Sequence, residues 1–468
     1  MKTDPRTFPL SASQELLWEH MAALSPGDPG AAPEVAVCLR ELLGPLDPEV
    51  FRRAVAQVAA RHDPLRMRFV TAGRDPLVVI EPGVENPLGF ADLSALPGDR
   101  QEKELSKLCA ETSGQPFDLG RAPLWRAWLV RLSSQHHVLI AAFFHLVADG
   151  WSTQVFAEEA TAWYGSLTGR SPAPSEVRAG FPEILTMQAR ELAETAARRE
   201  FWRRSLRPVP KPVAYPVRSI DPQMDVRAME AVRFRFAAHV GRRLRGVAWR
   251  AKTTEYVALL TAYHILHRRR TDAERIVIGT TTLGRSSPVA RRLIGQFTND
   301  VYMATDIRGE SSLADTVRQV HEALEAAMTN AVSFKSLAQA ANPDFAAERP
   351  WPDIHLFDSY LQAEPPAAPD LEVAGLRVRQ LRIDQGDAGS AASVLRAGDV
   401  PAFRLPIWIK KSAPFMLIDD DRLGGALVCN PGFFEEGLAK ELVAEYVEIV
   451  EALAEDPSMP VAAVTSAL

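Results

Sequence analysis

Three cysteines in 468 residues, Cys38, Cys109 and Cys429, leave the chain without a disulfide framework, and none sits in a Cys-x-x-Cys or Cys/His spacing that would hold zinc. No apolar run approaches the ~18 residues that a membrane span requires. The opening Met1-Lys2-Thr3-Asp4-Pro5-Arg6 leads into no signal-peptide core. Charge of one sign is also missing: a formal net charge of −6 gives no global field for nucleic acid. There is no phosphate-binding P-loop, no dinucleotide fingerprint and no G-x-S-x-G elbow. These absences predict a soluble, cytoplasmic protein with no nucleic-acid or membrane partner, no metal and no bound cofactor. Any nucleotide-dependent activation belongs to another protein.

What is present is the balance of a folded chain, 47% hydrophobic and 24% charged. Single cores stop growing near ~250–300 residues, so 468 residues predict two lobes. Asp47 can cap a helix, Pro48 suits its first turn, and Phe51, Val55 and Val58 recur at helical spacing up to Arg61-His62. Leu124–Leu132 reads as a strand, and His137–Phe144, apolar nearly throughout, as a central strand buried on both faces. A helix carrying Val155, Phe156, Trp163 and Tyr164 follows.

Pro208, Pro210, Pro212, Pro216 and Pro222 forbid a helix and mark an extended crossing. The expected division is a first lobe over 1–207, a linker over 208–223 and a second lobe over 224–468. In that second lobe, strands are expected at Ala231–Phe236, Arg275–Gly279, Phe403–Ile409, Pro414–Ile418 and Gly424–Cys429. Helices are expected at Glu255–His267, Leu313–Met328 and Phe434–Ala454. The Ala/Gly/Pro/Asp-rich stretch 364–399 reads as a long surface excursion. The class is α/β or α+β.

Between the apolar strand and the next helix stands His145-Leu146-Val147-Ala148-Asp149-Gly150. A neutral imidazole can take a proton from an attacking amine or alcohol near neutral pH and return it later. The loop is a good site because rigid elements flank it and the helix start offers free N–H groups. Asp149 reads either as the carboxylate that orients the histidine or, the favoured reading, as a structural acid held by a cation. Ser152 lies close but lacks the setting of a nucleophile, which makes direct transfer the simpler mechanism. His264 and His267 share a helical face without further ligands in view, and His136-His137 opens a strand; all read as packing residues.

The stretch Phe144-His145-Leu146-Val147-Ala148-Asp149-Gly150-Trp151-Ser152 resembles the His-His-x-x-x-Asp-Gly hallmark of nonribosomal peptide synthetase condensation domains. These belong to the chloramphenicol-acetyltransferase-like acyltransferases. Further stretches match in order: Ser11–Trp18, Arg61–Phe69, Pro116–Leu119 with Pro123-Leu124, and Gly279–Arg285 with Ile294–Asn299. The resemblance implies two acetyltransferase-like lobes in a V-shaped pseudo-dimer, with a tunnel in which two carrier-protein arms meet at His145. It implies an Asp149–Arg285 ion pair across the lobe boundary and a Gly150 N–H near the reacting carbonyl.

Phe144 stands where the family has its first histidine. Asp300 follows Asn299 where the family commonly has a small or hydroxyl residue, adding an acid beside the expected tunnel that favours a polar or cationic acceptor. Trp151 and Ser152 flank the motif.

The implied reaction joins an acyl or aminoacyl thioester, carried on the phosphopantetheine of a separate acyl or peptidyl carrier protein, to an amine or alcohol. The chain shows neither an adenylation region nor a carrier segment, which predicts an enzyme acting in trans. Two other readings remain: a coenzyme A-dependent O-acyltransferase, and a non-catalytic recruitment module, which Phe144 keeps open. Arg198-Arg199 with Arg203-Arg204, and Arg268-Arg269-Arg270, are candidate contacts for an acidic carrier.

Overall fold

The computed structural model describes residues 6–24, 35–72, 75–176, 179–206, 230–271, 273–341, 359–363, 370–381, 393–396, 415–419, 423–429 and 437–466. The linker expected over 208–223 and the strand expected at Phe403–Ile409 lie outside these residues.

The first half runs β1 (Arg6–Pro9), α1 (Ala12–Leu24), β2 (Val35–Leu43), α2 (Pro48–Arg61), β3 (Met67–Ala72), β4 (Asp75–Ile80) and β5 (Leu88–Asp92). It continues with α3 (Gly98–Gly114), β6 (Trp125–Ser133), β7 (His136–Phe144), α4 (Gly150–Leu167), α5 (Phe181–Glu191) and α6 (Ala196–Ser205). The second half runs β8 (Glu230–Arg235), α7 (Ala238–Arg250), α8 (Glu255–Thr271), β9 (Arg275–Thr282), β10 (Asn299–Asp306), α9 (Leu313–Thr329), α10 (Phe334–Ala341) and β11 (Tyr360–Ala363). It ends with β12 (Leu371–Val373), β13 (Leu376–Gln380), β14 (Ser393–Arg396), β15 (Phe415–Asp419), β16 (Gly424–Cys429), α11 (Leu438–Glu455) and α12 (Val461–Thr465).

Two large sheets organise the chain. The first has strand order β12-β13-β2-β7-β6-β5 and the second β10-β9-β11-β15-β16-β8-β14; β1, β4 and β3 form a small third sheet. The expected central strand is β7, paired on one side with β2 and on the other with β6. Its apolar run divides between the two faces by the two-residue period of a strand. Ala141 and Phe143 join the core under α2 and α4, whereas Ala142 and Phe144 join the core lined by Met67, Phe69 and Phe181.

The α2 start behaves as its sequence predicts, with the Asp47 carboxylate accepting from the Glu49 and Val50 N–H groups at 2.9 and 3.1 Å. In the second half, α8 is buried from Val257 to His267, as befits a helix apolar on all sides. It packs among α7, α9 and α11 on one face of the second sheet. His264 and His267 are completely buried there and desolvation lowers them to about 4 and about 3, so they are neutral core residues.

The stretch 364–399 departs from the expected surface excursion. Its described part contains the hairpin β12–β13, whose strand β13 pairs antiparallel with β2 and so extends the first sheet, and β14, which pairs with β8 in the second. Leu376 and Val378 are buried in the first core, and Arg379 reaches Glu41 on β2. The first sheet is therefore assembled from both halves of the sequence.

A second bond between the halves is the β9–β10 connection. Ala290, Leu293, Ile294 and Phe297 leave the second sheet and enter the cores of the first half. Gly284 starts this connection at φ +57°, where a Cβ would lie 1.9 Å from the carbonyl oxygen of Phe297. Gly284→Ala is expected to lower stability by more than about 2 kcal/mol, since the left-handed conformation alone costs an L-residue ~1–2 kcal/mol. Gly169→Ala is the control: φ there is +69°, with nothing near the added methyl. Denaturant midpoints of the two variants give the comparison.

Candidate active site

The His145 loop is short because the chain passes from one rigid element to another within five residues. β7 ends at Phe144 and α4 begins at Gly150. Asp149 is the N-cap of α4: its Oδ1 accepts from the Ser152 N–H at 2.8 Å and from the Ser152 hydroxyl at 2.7 Å. This closure fixes where the loop turns.

Asp149 does much more than cap. Arg285 Nη2 donates to both its oxygens at 2.8 and 2.9 Å, and the Phe297 N–H donates to Oδ2 at 3.2 Å. Both side chains of the ion pair are almost wholly buried. Arg285 Nη1 donates to the carbonyls of Ala290 at 2.5 Å and Leu293 at 2.7 Å, Nη2 also lies 3.2 Å from that of Gly295, and Nε has no partner among the described residues. Its guanidinium also lies 4.1 Å from the Phe297 ring centroid. The carboxylate is thus held by a cation from the other half of the chain, the second of the two roles open to it.

Ser152 is buried at the hub of this network. Its hydroxyl, which donates to Asp149, accepts from the Gly295 N–H at 3.0 Å and from Arg285 at 3.0 Å. A hydroxyl so committed is a bracket, and the carboxylate it meets, Asp149, is already paired with Arg285. Ser152→Ala is expected to cost about 1–3 kcal/mol through the groups it leaves unpaired. Denaturant titration of the native protein and the variant measures the loss.

The neighbouring motifs brace the same loop. Gln14 Nε2 donates to the Leu146 carbonyl at 2.8 Å, Trp151 Nε1 to the Arg291 carbonyl at 2.8 Å, and Gln188 Nε2 to the Gln296 carbonyl at 2.7 Å. His62 bonds Glu159 at 2.9 Å and accepts from the Ile294 N–H at 3.4 Å. Asp63 is held by Arg6 and Arg66 and accepts from the Phe181 N–H. Gln14 lies within a stretch that sequence comparison singles out, but its role in fixing the loop has no sequence signal of its own.

His145 stands apart from these bonds. It is half-buried, its Nδ1 is enclosed with no hydrogen-bond partner among the described residues, and Asp149 makes no hydrogen bond to it. The Nε2 edge remains as the one that can meet a substrate. Gly150 is exposed at the first position of α4, where backbone N–H groups have no intrahelical acceptor. Phe144 is completely buried, its ring 5.6 Å from that of Phe117, so it lines the core instead of an open passage.

Asn299 is buried and opens β10; Asp300 beside it is partly exposed, its Oδ1 accepting from the Tyr360 hydroxyl at 2.5 Å and from Thr281 at 3.5 Å. Burial pushes the Asp300 carboxyl up to about 6. Tyr360 escaped sequence reading because its short strand carries no motif.

Among the described residues no group of three or more His, Cys, Asp or Glu is placed to hold a metal, and no helix is long and apolar enough to cross a membrane. The basic clusters are largely spent internally. Arg198 binds three carbonyls, Arg199 pairs with Glu194, Arg203 and Arg204 pair with Glu200, and Arg269 and Arg270 pair with acids of α11.

A family model described as "Condensation domain" matches residues 6–386, a span that contains the loop, its ion pair and the bracing motifs. The chain belongs to the condensation domain family. Phosphinothricin tripeptide synthetase PhsC of Streptomyces viridochromogenes is 31% identical over 351 residues, covering 73% of this chain and 31% of that protein. The chain spans less than a third of the length of the curated relatives first matched. SgcC5 of Streptomyces globisporus superposes with a TM-score of 0.77 at 23% identity, covering 97% of this chain and 100% of that one. The X-domain of teicoplanin biosynthesis, solved in complex with OxyB, gives 0.74 at 24% identity, covering 99% and 97%. The fold is the chloramphenicol-acetyltransferase-like α/β fold of nonribosomal peptide synthetase condensation domains.

Proposed function

We propose that this condensation-family protein joins a carrier-bound acyl or aminoacyl thioester to an amine or alcohol, forming an amide or an ester. The observation that carries the reading is the division of labour at the loop. Every polar side chain of the motif except His145 is consumed in bracing, whereas His145 keeps a ring edge free on a loop with no slack.

In this mechanism the thioester arrives on the phosphopantetheine arm of a carrier protein. His145 Nε2 accepts the proton of the attacking nitrogen or oxygen, and the tetrahedral oxyanion forms against N–H groups at the start of α4, Gly150 first. Collapse expels the thiolate, which takes the proton back. Asp149 and Arg285 act as positioning residues.

The lobes extend over 1–207 and 224–468 in this reading, with the β12–β13 hairpin crossing back to the first. The likeness to SgcC5 supports the fold on which this reading rests. A second reading is a recruitment module without chemistry, favoured by Phe144 in the histidine position and by the likeness to an X-domain solved with a bound partner.

The test is intact-mass detection of product after mixing the protein with acyl-loaded carrier and a panel of amines and alcohols. A product mass identifies the bond formed. Stable carrier binding without transfer to any acceptor would overturn the catalytic reading in favour of recruitment.

A further inference from the structure

Both faces of the second sheet contribute buried residues to its core. Toward α8 it presents Ile278, Val301 and Met303, all in the core, and Thr280, which bonds the Tyr256 hydroxyl. Strand alternation turns the remaining residues of β9 and β10 to the other face. There the register sets Asp300 against Thr281, and both Tyr302 and Tyr360 against Gly279. A Cβ on Gly279 would lie 2.6 Å from the Tyr360 ring and 2.7 Å from the Tyr302 ring, so the missing side chain is what lets two aromatic rings close over this spot.

Asp300 faces these rings without a cation. The enclosed carboxylates Asp63, Asp149 and Glu445 each meet an arginine, but Asp300 meets the hydroxyls of Tyr360 and Thr281 through Oδ1. Its Oδ2 has no partner among the described residues, and no arginine, lysine or histidine among them lies within ion-pair distance. The Tyr302 and Tyr360 rings are themselves buried, so what Asp300 offers is a partly exposed carboxylate with one oxygen anchored and one open, the chemistry that holds an ammonium group.

The place is also right. The Phe297 N–H that braces Asp149 is three residues from Asp300, at most roughly 11 Å of extended chain. One run of backbone therefore supports the His145 loop and carries the acid.

We propose that Asp300, anchored by Tyr360 and Thr281, forms a subsite for a protonated amine, which makes the acceptor an aliphatic amine bearing a cationic nitrogen; the word acceptor rests on the reading of His145 as the transfer centre. A neutral alcohol of the same length would gain a hydrogen bond there but no charge pairing.

The subsite is tested by direct binding of 1,4-diaminobutane and its neutral counterpart 1,4-butanediol to the full chain, followed by calorimetry or ligand-observed NMR. The native protein is expected to bind the diamine at least about 10-fold more tightly than the diol, and Asp300→Asn to lose that preference. Asp300→Asn keeps the shape of the side chain, and its unfolding midpoint at pH 7.5 should equal or exceed the native one. Asp300→Ser provides the same test with a smaller polar residue should the asparagine variant misfold.

In the transfer assay the Asp300→Asn defect should appear in KM for the diamine. Equal diamine binding by native and variant proteins, or no diamine binding by the native protein, overturns the subsite. A native protein that distinguishes diamine from diol through Asp300 yet transfers nothing leaves the subsite standing and removes the catalytic reading.

Discussion

Arg285→Ala is expected to destabilise the protein by about 3–5 kcal/mol, the range for stranding one partner of a buried ion pair. The Asp149 carboxylate keeps three neutral donors, the Ser152 N–H, the Ser152 hydroxyl and the Phe297 N–H, but loses the one positive charge set against it among the described residues. The Leu293 carbonyl loses its Arg285 donor in the same step, and the Ala290 carbonyl is left with the Leu293 N–H. Arg285→Lys should recover little, because one ammonium cannot span a carboxylate and several carbonyls as a planar guanidinium does. Denaturant titration followed by tryptophan fluorescence measures the loss. A lysine variant of native stability would show that charge alone is required and that the fork geometry is not.

His145→Ala should have the opposite profile. The ring makes no hydrogen bond among the described residues, so truncation strands no partner and the unfolding midpoint should stay near native. Transfer should nevertheless fall by about 10²–10⁴-fold, the usual contribution of a positioned general base. Residual turnover above that of free solution would come from binding and from the α4 N–H groups, which the substitution leaves in place.

In the proposed mechanism the two variants separate two roles: Arg285 holds the loop from the β9–β10 connection and His145 works from it.

Much of this site is legible in the sequence for local reasons. The run His137–Phe144 is apolar at both parities and can only be a strand covered on both faces, and Asp149 followed by Gly150 and Ser152 is a helix start. The helix at Asp47–Arg61 is legible by the same signals of cap, proline and spacing.

What escaped depends on partners distant in sequence. β13 is five residues long, and the fact that Leu376 and Val378 complete the first sheet depends on β2, more than 300 residues earlier. Nothing near residue 376 encodes that pairing. The resemblance implied the pairing of Asp149 with Arg285, but the Phe297 N–H and the hub formed by Ser152 require the β9–β10 connection to be folded into the first half. Asp300 was visible as an unusual acid; its setting beside Tyr360 depends on a parallel strand contact between β9 and β11. Phe144, noted as a departure within the motif, takes its core position from the alternation of β7, which puts its side chain on the face opposite Phe143.

The central claim is that His145 performs the transfer on a loop that the rest of the motif only holds. It is tested most directly by single-turnover transfer from an acyl-loaded carrier protein to the best amine acceptor, comparing native protein, His145→Ala and Ser152→Ala at a temperature where all three are folded. The account predicts loss of transfer in the histidine variant alone, with carrier binding unchanged. Transfer by His145→Ala at the native rate would contradict it.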